Sequence, residues 1–463
     1  MKLYWQALFL LFLLAAVVIL KFNHVSLPFY WDEAWAYGPA VYEMYHHGLS
    51  LLPDALPTDL SRGHPLLFHF SAALWMKIFG TGVFSLHCFA MAIALSLLVV
   101  IFQFAKYFLS IQTALMASLL MGVQSLFLAQ ASLLLPEMFL SLWIIVSLLF
   151  YLKGKYALYA ISASCAMLTK ETAVTLLLTV VCFHLIFQKK KTFNSLLLIV
   201  PFIPWIIFTL LQKHYHGWYF FPEHIGFLNF SIVHIADIME NYFSLIFIYY
   251  GRNIIFFTAL AALIFVIIRK QWKNIFSNEI SMQTFILLCV FMAVFICFGG
   301  INFYSDRYAL PLLAPFLLCT SFVVVNCIRK KAVLYFLVSV FLFTGIYYSY
   351  SYETTSDHNL GYIKYCRTQK QCVDYFISNK WQDKNIGTTF LMRYYLNNPA
   401  SGYVTEENKM LHVTQTVNDK TEIVVLLSSE NDNDLEQFVI REKWTLFKIF
   451  SEKSAIIKVY KKV

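Results

Sequence analysis

The strongest constraint on this chain is a succession of apolar runs, many of them close to the ~20 residues an α-helix needs to cross the hydrocarbon of a bilayer. The first, LYWQALFLLFLLAAVVIL, begins at residue 3. Eleven runs can be marked, near 3–21, 83–105, 110–130, 137–152, 156–169, 172–187, 194–211, 253–268, 281–298, 308–326 and 332–350. In lipid the backbone polar groups must be satisfied within the segment, so such runs are read as helices. Those at 137–152, 156–169 and 172–187 are short for a span. The run at 3–21 lacks a small-residue cleavage site and leads into a membrane domain, so it is read as a retained span rather than a signal peptide. Composition agrees: 13% of the residues are charged, against about 25% in soluble chains. A large soluble protein cannot do without that polar surface. The expected fold class is mainly α, a polytopic membrane domain of about eleven spans over residues 1–352.

Lys and Arg in short loops set orientation. With the N-terminus in the cytoplasm, the inner side collects Lys2, Lys106, Lys153, Lys155, Lys189, Lys190, Lys191, Arg269, Lys270, Lys273, Arg329, Lys330 and Lys331. The outer side, up to residue 352, holds Lys21, Arg62, Lys77, Lys170, Lys213, Arg252 and Arg307. These short clusters account for the net charge of +9 as a topology signal and argue against a nucleic-acid partner. The acids, not used in that fit, are one-sided as well. Of twelve Asp and Glu before residue 353, all but Glu279 fall outside. Their absence from positive inner loops explains part of the bias. It does not explain why several abut span ends, where partial desolvation makes a carboxylate costly.

Two long outer loops, 22–82 and 212–252, are rich in aromatics and His. They contain helix-like stretches at Glu33–His47 and His234–Tyr249, of a kind that can lie on a membrane surface. Residues 353–463 are polar, with 15 basic and 14 acidic residues. A helix over YIKYCRTQKQCVDYFISNKW, a buried strand at Glu422–Ser429, a helix over NDNDLEQFVIREKW and a closing strand SAIIKVYKKV predict a small α/β domain outside the membrane. Seven of the nine cysteines lie in or beside apolar runs and read as small hydrophobes. Cys366 and Cys372, in the tail, form a candidate disulfide if that compartment is oxidising.

Five places carry the residue types that chemistry needs. FYWDEAWAY holds Asp32 and Glu33 soon after the first span. Neighbours on a helix point about 100° apart, so the two cannot share one task, and one can face a cavity while the other anchors the loop. Either suits a general base, although acids at a helix start also occur for the helix dipole alone. DLSRGHPLLFHF offers Arg62 as a bidentate phosphate binder and His64 as a proton carrier or metal ligand. His69 is five residues on, a poor match to an i, i+4 zinc pair, so a divalent metal is left open. LPEMF places Glu137 at the start of a span, and LTKETA places Lys170 and Glu171 between two spans. A Lys at that depth needs a partner, either an internal acid or the phosphate of a ligand. NFYSDRYALPLLAPF puts Asp306 and Arg307 at the mouth of another span. Together these outline a membrane-edge cavity suited to a substrate with a greasy tail, a phosphate and a polar group to transfer.

In order and sidedness, the acidic pair, the later His-Pro element, LTKET and DRYALPLLAPF resemble the GT-C glycosyltransferases. The branch resembled is the protein O-mannosyltransferase and aminoarabinose transferase group, over roughly residues 1–350. The resemblance implies a GT-C-like helical domain, a polyprenyl-phosphate sugar donor, a glycan, lipid or protein acceptor, and an inverting displacement on the outer face. It implies that Asp32 is the base on the acceptor and that Arg307 faces the donor phosphate; on charge alone, Lys170 and Arg62 are further candidates to stabilise the leaving phosphate. His64, Glu137, Glu171 and Asp306 are then supporting residues, and Glu33 is a second catalytic candidate. The chain reads Gly63-His64-Pro65 where lipid A-modifying relatives carry a Lys-Pro-Pro-like element, so donor contact there is not implied. The implied location is the bacterial inner membrane, with the site and residues 353–463 outside. Two rivals come from other classes. A transporter or lipid flippase would place its charges near the bilayer midplane, often with inverted repeats; here the charges lie at one edge and no repeat is visible. A non-catalytic envelope assembly factor would tolerate loss of both Asp32 and Glu33.

Overall fold

Each apolar run expected to span falls on helical structure in the computed structural model, which describes residues 3–187, 193–270, 275, 276, 278–328, 330–351, 354, 356–430 and 433–462. Lys2, Lys189, Lys190, Lys191, Lys273 and Arg329, named above for orientation, lie outside the described residues. The helices of the apolar part are α1 (Leu3–Lys21), α2 (Gly38–His47), α3 (Leu67–Phe79), α4 (Val83–Phe108), α5 (Ile111–Met121), α6 (Ser125–Gln130), α7 (Pro136–Leu152), α8 (Tyr156–Met167), α9 (Val174–Phe187), α10 (Phe202–His216), α11 (Ile232–Phe243), α12 (Arg252–Ile268), α13 (Glu279–Gly299), α14 (Leu310–Cys327) and α15 (Lys331–Tyr350). Among the described residues five helical segments are long and apolar enough to cross a membrane, or six if the bent pair before and after Tyr249–Gly251 is one span. The protein is an integral membrane protein.

The boundaries have local causes. Pro136 opens α7 at a position whose N–H would be unpaired in any case. The Ser110 and Asn278 side chains accept from the backbone N–H three residues on, capping α5 and α13. The expected run 110–130 is two helices, because the chain turns at Gly122–Gln124. Tyr250 and Gly251 both take positive φ, and the helix axes on either side differ by 84°.

Burial separates the centre from the rim. The segment Asp306–Cys327 is 89% buried, whereas α1 and α15 are 11% and 17% buried. The central segment packs on α5, α7, α12 and α13, while α1 and α15 present Leu, Phe and Tyr outward. Such a surface is costly in water and neutral in lipid. Because the central segment begins with Asp306 and Arg307, those charges stand where the surrounding helices converge.

The polar tail folds as expected around a mixed sheet. Helix α16 (Tyr362–Ser378) precedes β1 (Asn385–Thr388), α17 (Phe390–Asn397), β2 (His412–Thr414), β3 (Ile423–Leu427), α18 (Asn433–Arg441), β4 (Thr445–Glu452) and β5 (Ala455–Lys461). Strand order is β2-β1-β3-β5-β4; β1 is parallel to β2 and β3, and β5 is antiparallel to β3 and β4. The central β3, IVVLL, is buried at every residue, as its unbroken apolar run predicts. The tail packs on the first long loop, residues 22–82. Ser401 C=O accepts from the Phe29 N–H at 3.0 Å, and Gly402 sits so close to Val83 that a Cβ would come within 2.7 Å. The candidate disulfide pair is not bridged in this structure. Cys366 and Cys372 are free, buried thiols of the same helix, α16. Six residues of helix separate them by roughly 9 Å of rise, beyond the usual Cα spacing of a disulfide, about 4.4–6.8 Å.

Candidate active site

A cavity of about 940 Å³ opens among the two long loops, 22–82 and 212–252, the start of the central segment and the start of the tail. Its lining includes Asp32, Arg62, His64, Glu137, Lys170, Glu171, Arg307 and Asp357, and its other walls mix aliphatic side chains with aromatic ones such as Trp205, Phe221, Phe227, Phe298 and Phe303. It has the size and the mixed lining of a small-molecule site.

Asp32 stands at the N-terminus of a single π-turn, Glu33–Tyr37, directly after Trp31, whose φ is +40°. Left-handed backbone is rare for a bulky residue, and π-turns recur at functional sites. The turn aims Asp32 and Glu33 in different directions. Asp32 faces the cavity, where one carboxylate oxygen accepts from Trp35 Nε1 at 2.8 Å and the other from Arg307 Nη2. Glu33 is wholly buried and does not line the cavity. It accepts from the Tyr30 N–H at 2.9 Å and from the Leu134 N–H, and lies 3.1 Å from His87 Nε2. It ties the acidic loop to α4 and to the approach of α7.

Arg307 is the hub of the cluster. Nη1 donates to Asp357 at 2.6 Å, Nη2 to Asp32, and Nε lies 3.5 Å from Glu137. Glu137, buried in the first turn of α7, accepts from Lys170 Nζ at 2.7 Å. Lys170 also lies 3.7 Å from the centre of the Tyr308 ring. Lys170 therefore pairs with Glu137 rather than with its neighbour Glu171.

Glu171 belongs to a second group. His64 Nδ1 is 3.0 Å from Glu171, the His64 and His224 ring centres are 4.7 Å apart, and Arg62 pairs with Glu223 at 3.3 Å while lying over Trp35. Burial, reinforced by His64, lowers the pKa of His224 to about 3, so this ring stays neutral at ordinary pH. Gly63 takes φ +72°, and a Cβ there would come 2.8 Å from Phe221, so the Arg62–His64 turn needs glycine. Among the described residues no group of three or more His, Cys, Asp and Glu side chains is arranged to hold a metal ion. His64 faces one carboxylate, Glu171, and a second imidazole, His224.

Asp306 points away from the cavity to His358 Nδ1, at 2.7 Å, and His358 Nε2 meets the Tyr250 hydroxyl at 2.5 Å. Three site residues escaped sequence reasoning: Asp357, His224 and Tyr308. Asp357 sits at the junction of the apolar and polar parts, and only the return of the chain over the cavity brings it to Arg307. His224 had a signal in the His-rich second loop, but nothing paired it with His64.

No protein-family model matches the chain, and a sequence search of curated proteins finds no relative. Solved structures do match. The chain is similar to ArnT from Cupriavidus metallidurans bound to undecaprenyl phosphate, with a TM-score of 0.58 and 11% identity over 99% of this chain and 98% of that one. For the apo state of the same protein the TM-score is 0.60, over 98% and 97% of the two chains. The chain has the ArnT-like GT-C membrane fold. The oligosaccharyltransferase of Archaeoglobus fulgidus, in complex with zinc and sulfate, is also similar, with a TM-score of 0.50 and 11% identity over 97% of this chain and 72% of that one. At such identity the GT-C likeness establishes architecture, and the expectation of that fold with a small C-terminal sheet holds.

Proposed function

We propose that this protein is a membrane glycosyltransferase that moves a sugar from a polyprenyl-phosphate donor to an acceptor bound in the same cavity. The observation that carries the reading is the meeting of Asp32, Arg307 and Lys170 in a cavity with aromatic and aliphatic walls within an ArnT-like fold. The ArnT structure with undecaprenyl phosphate supports this class of donor.

Asp32 is the proposed base. As the acceptor's oxygen or nitrogen bonds to the anomeric carbon from the face opposite the phosphate, the carbon–oxygen bond to phosphate breaks. The acceptor proton passes to Asp32, the lipid phosphate leaves with the bonding pair, and the configuration inverts. Arg307 and Lys170 neutralise that phosphate, with Arg62 at the cavity's edge. Glu137, Glu171, His64 and Asp306 hold these cations and the loops that carry them. Glu33, although adjacent to the base, is assigned to positioning because its oxygens are spent on backbone N–H groups and His87. The distribution of Lys and Arg supports an orientation with the N-terminus in the cytoplasm; the proposed location is the bacterial inner membrane, with residues 1–352 as the membrane catalytic domain. The cavity and a soluble domain of residues 353–463 would then lie on the outer face. The acceptor is a glycan, lipid or protein.

The test supplies labelled polyprenyl-phosphate sugars to purified protein in nanodiscs, with lipid, glycan and peptide acceptors. Label leaving the donor for an acceptor, with polyprenyl phosphate as co-product, is expected. Donor binding without turnover across the whole panel would overturn the reading.

A further inference from the structure

Arg307 meets more carboxylate than one guanidinium requires. Asp32 and Asp357 each take a terminal nitrogen, and Glu137 stands at Nε. A phosphate would call on the same donor fork, so at least one acid must release Arg307 when a donor is bound. Glu137 is fixed by its buried place in α7 and by Lys170. Asp32 is fixed by the π-turn and Trp35. Asp357 lies instead on the irregular connection between α15 and α16, beside the cavity. Burial already holds its carboxyl above the usual carboxylate range, against the pull of Arg307.

The connection is tied to both parts of the molecule. Gln130 Nε2 donates to the Asp357 carbonyl at 2.7 Å, His358 bridges Asp306 and Tyr250, and Asn359 accepts from the Gly361 N–H at 2.7 Å just before α16. A change at Asp357 therefore reaches the first helix of the tail through four residues.

We propose that Asp357 is a positioning residue that holds Arg307 while the site is empty and yields it to the donor's phosphate, shifting the segment 356–361 against α16. This rests on the polyprenyl-phosphate reading above. It gives residues 353–463 a part in the cycle: they report whether the donor site is filled.

The test uses the full chain in nanodiscs with a polyprenyl monophosphate as the probe. Hydrogen exchange of amides 358–361 should accelerate several-fold when the probe binds. Asp357→Asn should bind the probe roughly tenfold more tightly, as expected if about one-tenth of the wild-type population has Arg307 free. Asp357→Glu, which keeps the charge, should return to near wild-type affinity. A merely structural Asp357 would leave binding unchanged or weaker in Asp357→Asn, and that result overturns the proposal. Wild-type binding without faster exchange overturns it too, and needs no variant to fold. Absence of any wild-type binding would remove the donor reading along with it.

Discussion

Asp32 and Arg307, 275 positions apart in the chain, share a hydrogen bond at the wall of the cavity. The pair places the proposed base beside the proposed phosphate ligand, which is what a direct displacement at an anomeric carbon needs. Asp32→Asn keeps an acceptor for Trp35 and removes the proton-accepting charge. Turnover should fall by about 10²–10⁴-fold, the usual worth of a general base, with unaltered size-exclusion behaviour and retained binding of polyprenyl phosphate. Initial rates within a few-fold of wild type would remove Asp32 from its assigned role.

Arg307 answers for three acids, so its loss should be felt in stability as well as rate. Arg307→Ala leaves Asp32, Glu137 and Asp357 facing one another with Lys170 alone. Breaking a buried pair in this way costs about 3–5 kcal/mol, to be read as a lower thermal midpoint in detergent. Arg307→Lys cannot reproduce the fork that serves Asp32 and Asp357 together, and should recover stability only in part. Adding Asp357→Asn to Arg307→Ala should restore some of the loss, because one orphaned charge disappears. Strict additivity of the two changes would show that they do not interact.

Glu33 supplies the contrast to its neighbour. Glu33→Gln places an amide where two backbone N–H groups seek acceptors, leaving at least one buried donor unpaired at a cost of about 1–3 kcal/mol. The thermal midpoint should drop, while transfer per folded molecule changes far less than in Asp32→Asn. A rate loss as deep as that of Asp32→Asn, with stability unchanged, would place Glu33 in the chemistry.

The helices were legible because a bilayer leaves few alternatives to an apolar run. The mixed sheet was legible in part: β3 and β5 have clear apolar patterns, whereas the short β1 and β2, NIGT and HVT, carry almost no periodic signal. Asp32, Arg307 and Lys170 could be singled out because charges at span ends are costly enough to need a reason. How they pair could not. Lys170 stands next to Glu171 in sequence, yet the backbone turns them apart and sends Lys170 to Glu137. Asp357 is one of 14 acids in a polar tail, and only tertiary packing distinguishes it from the rest.

The second cluster predicts a dependence on pH. Burial lowers the pKa of His224 from 6.5 to about 3, with His64 acting in the same sense. Between those values the unfolded chain binds a proton that the folded chain does not, so stability rises with pH through this window. The contribution is full above pH 6.5 and is lost progressively as pH falls toward 3. Thermal midpoints measured from pH 7 down to 4.5 should fall faster for wild type than for His224→Gln, which has no ring to protonate. Parallel curves for the two proteins would show that His224 is not held neutral by the fold.

Cys366 and Cys372 offer a test of the packing of α16. Both thiols are buried, burial raises the pKa of each, and one stretch of helix holds them apart. The native protein should therefore react slowly with alkylating reagents at these two positions, since the thiolate is the nucleophile. In denaturant without reductant, all nine cysteines should be modified, because all nine are free thiols. Intact mass would then show nine adducts. Seven adducts, rising to nine only after reduction, would mean that two cysteines are bridged. If peptide mapping placed that bridge at Cys366 and Cys372, α16 could not be the continuous helix that connects the Asp357 segment to the sheet.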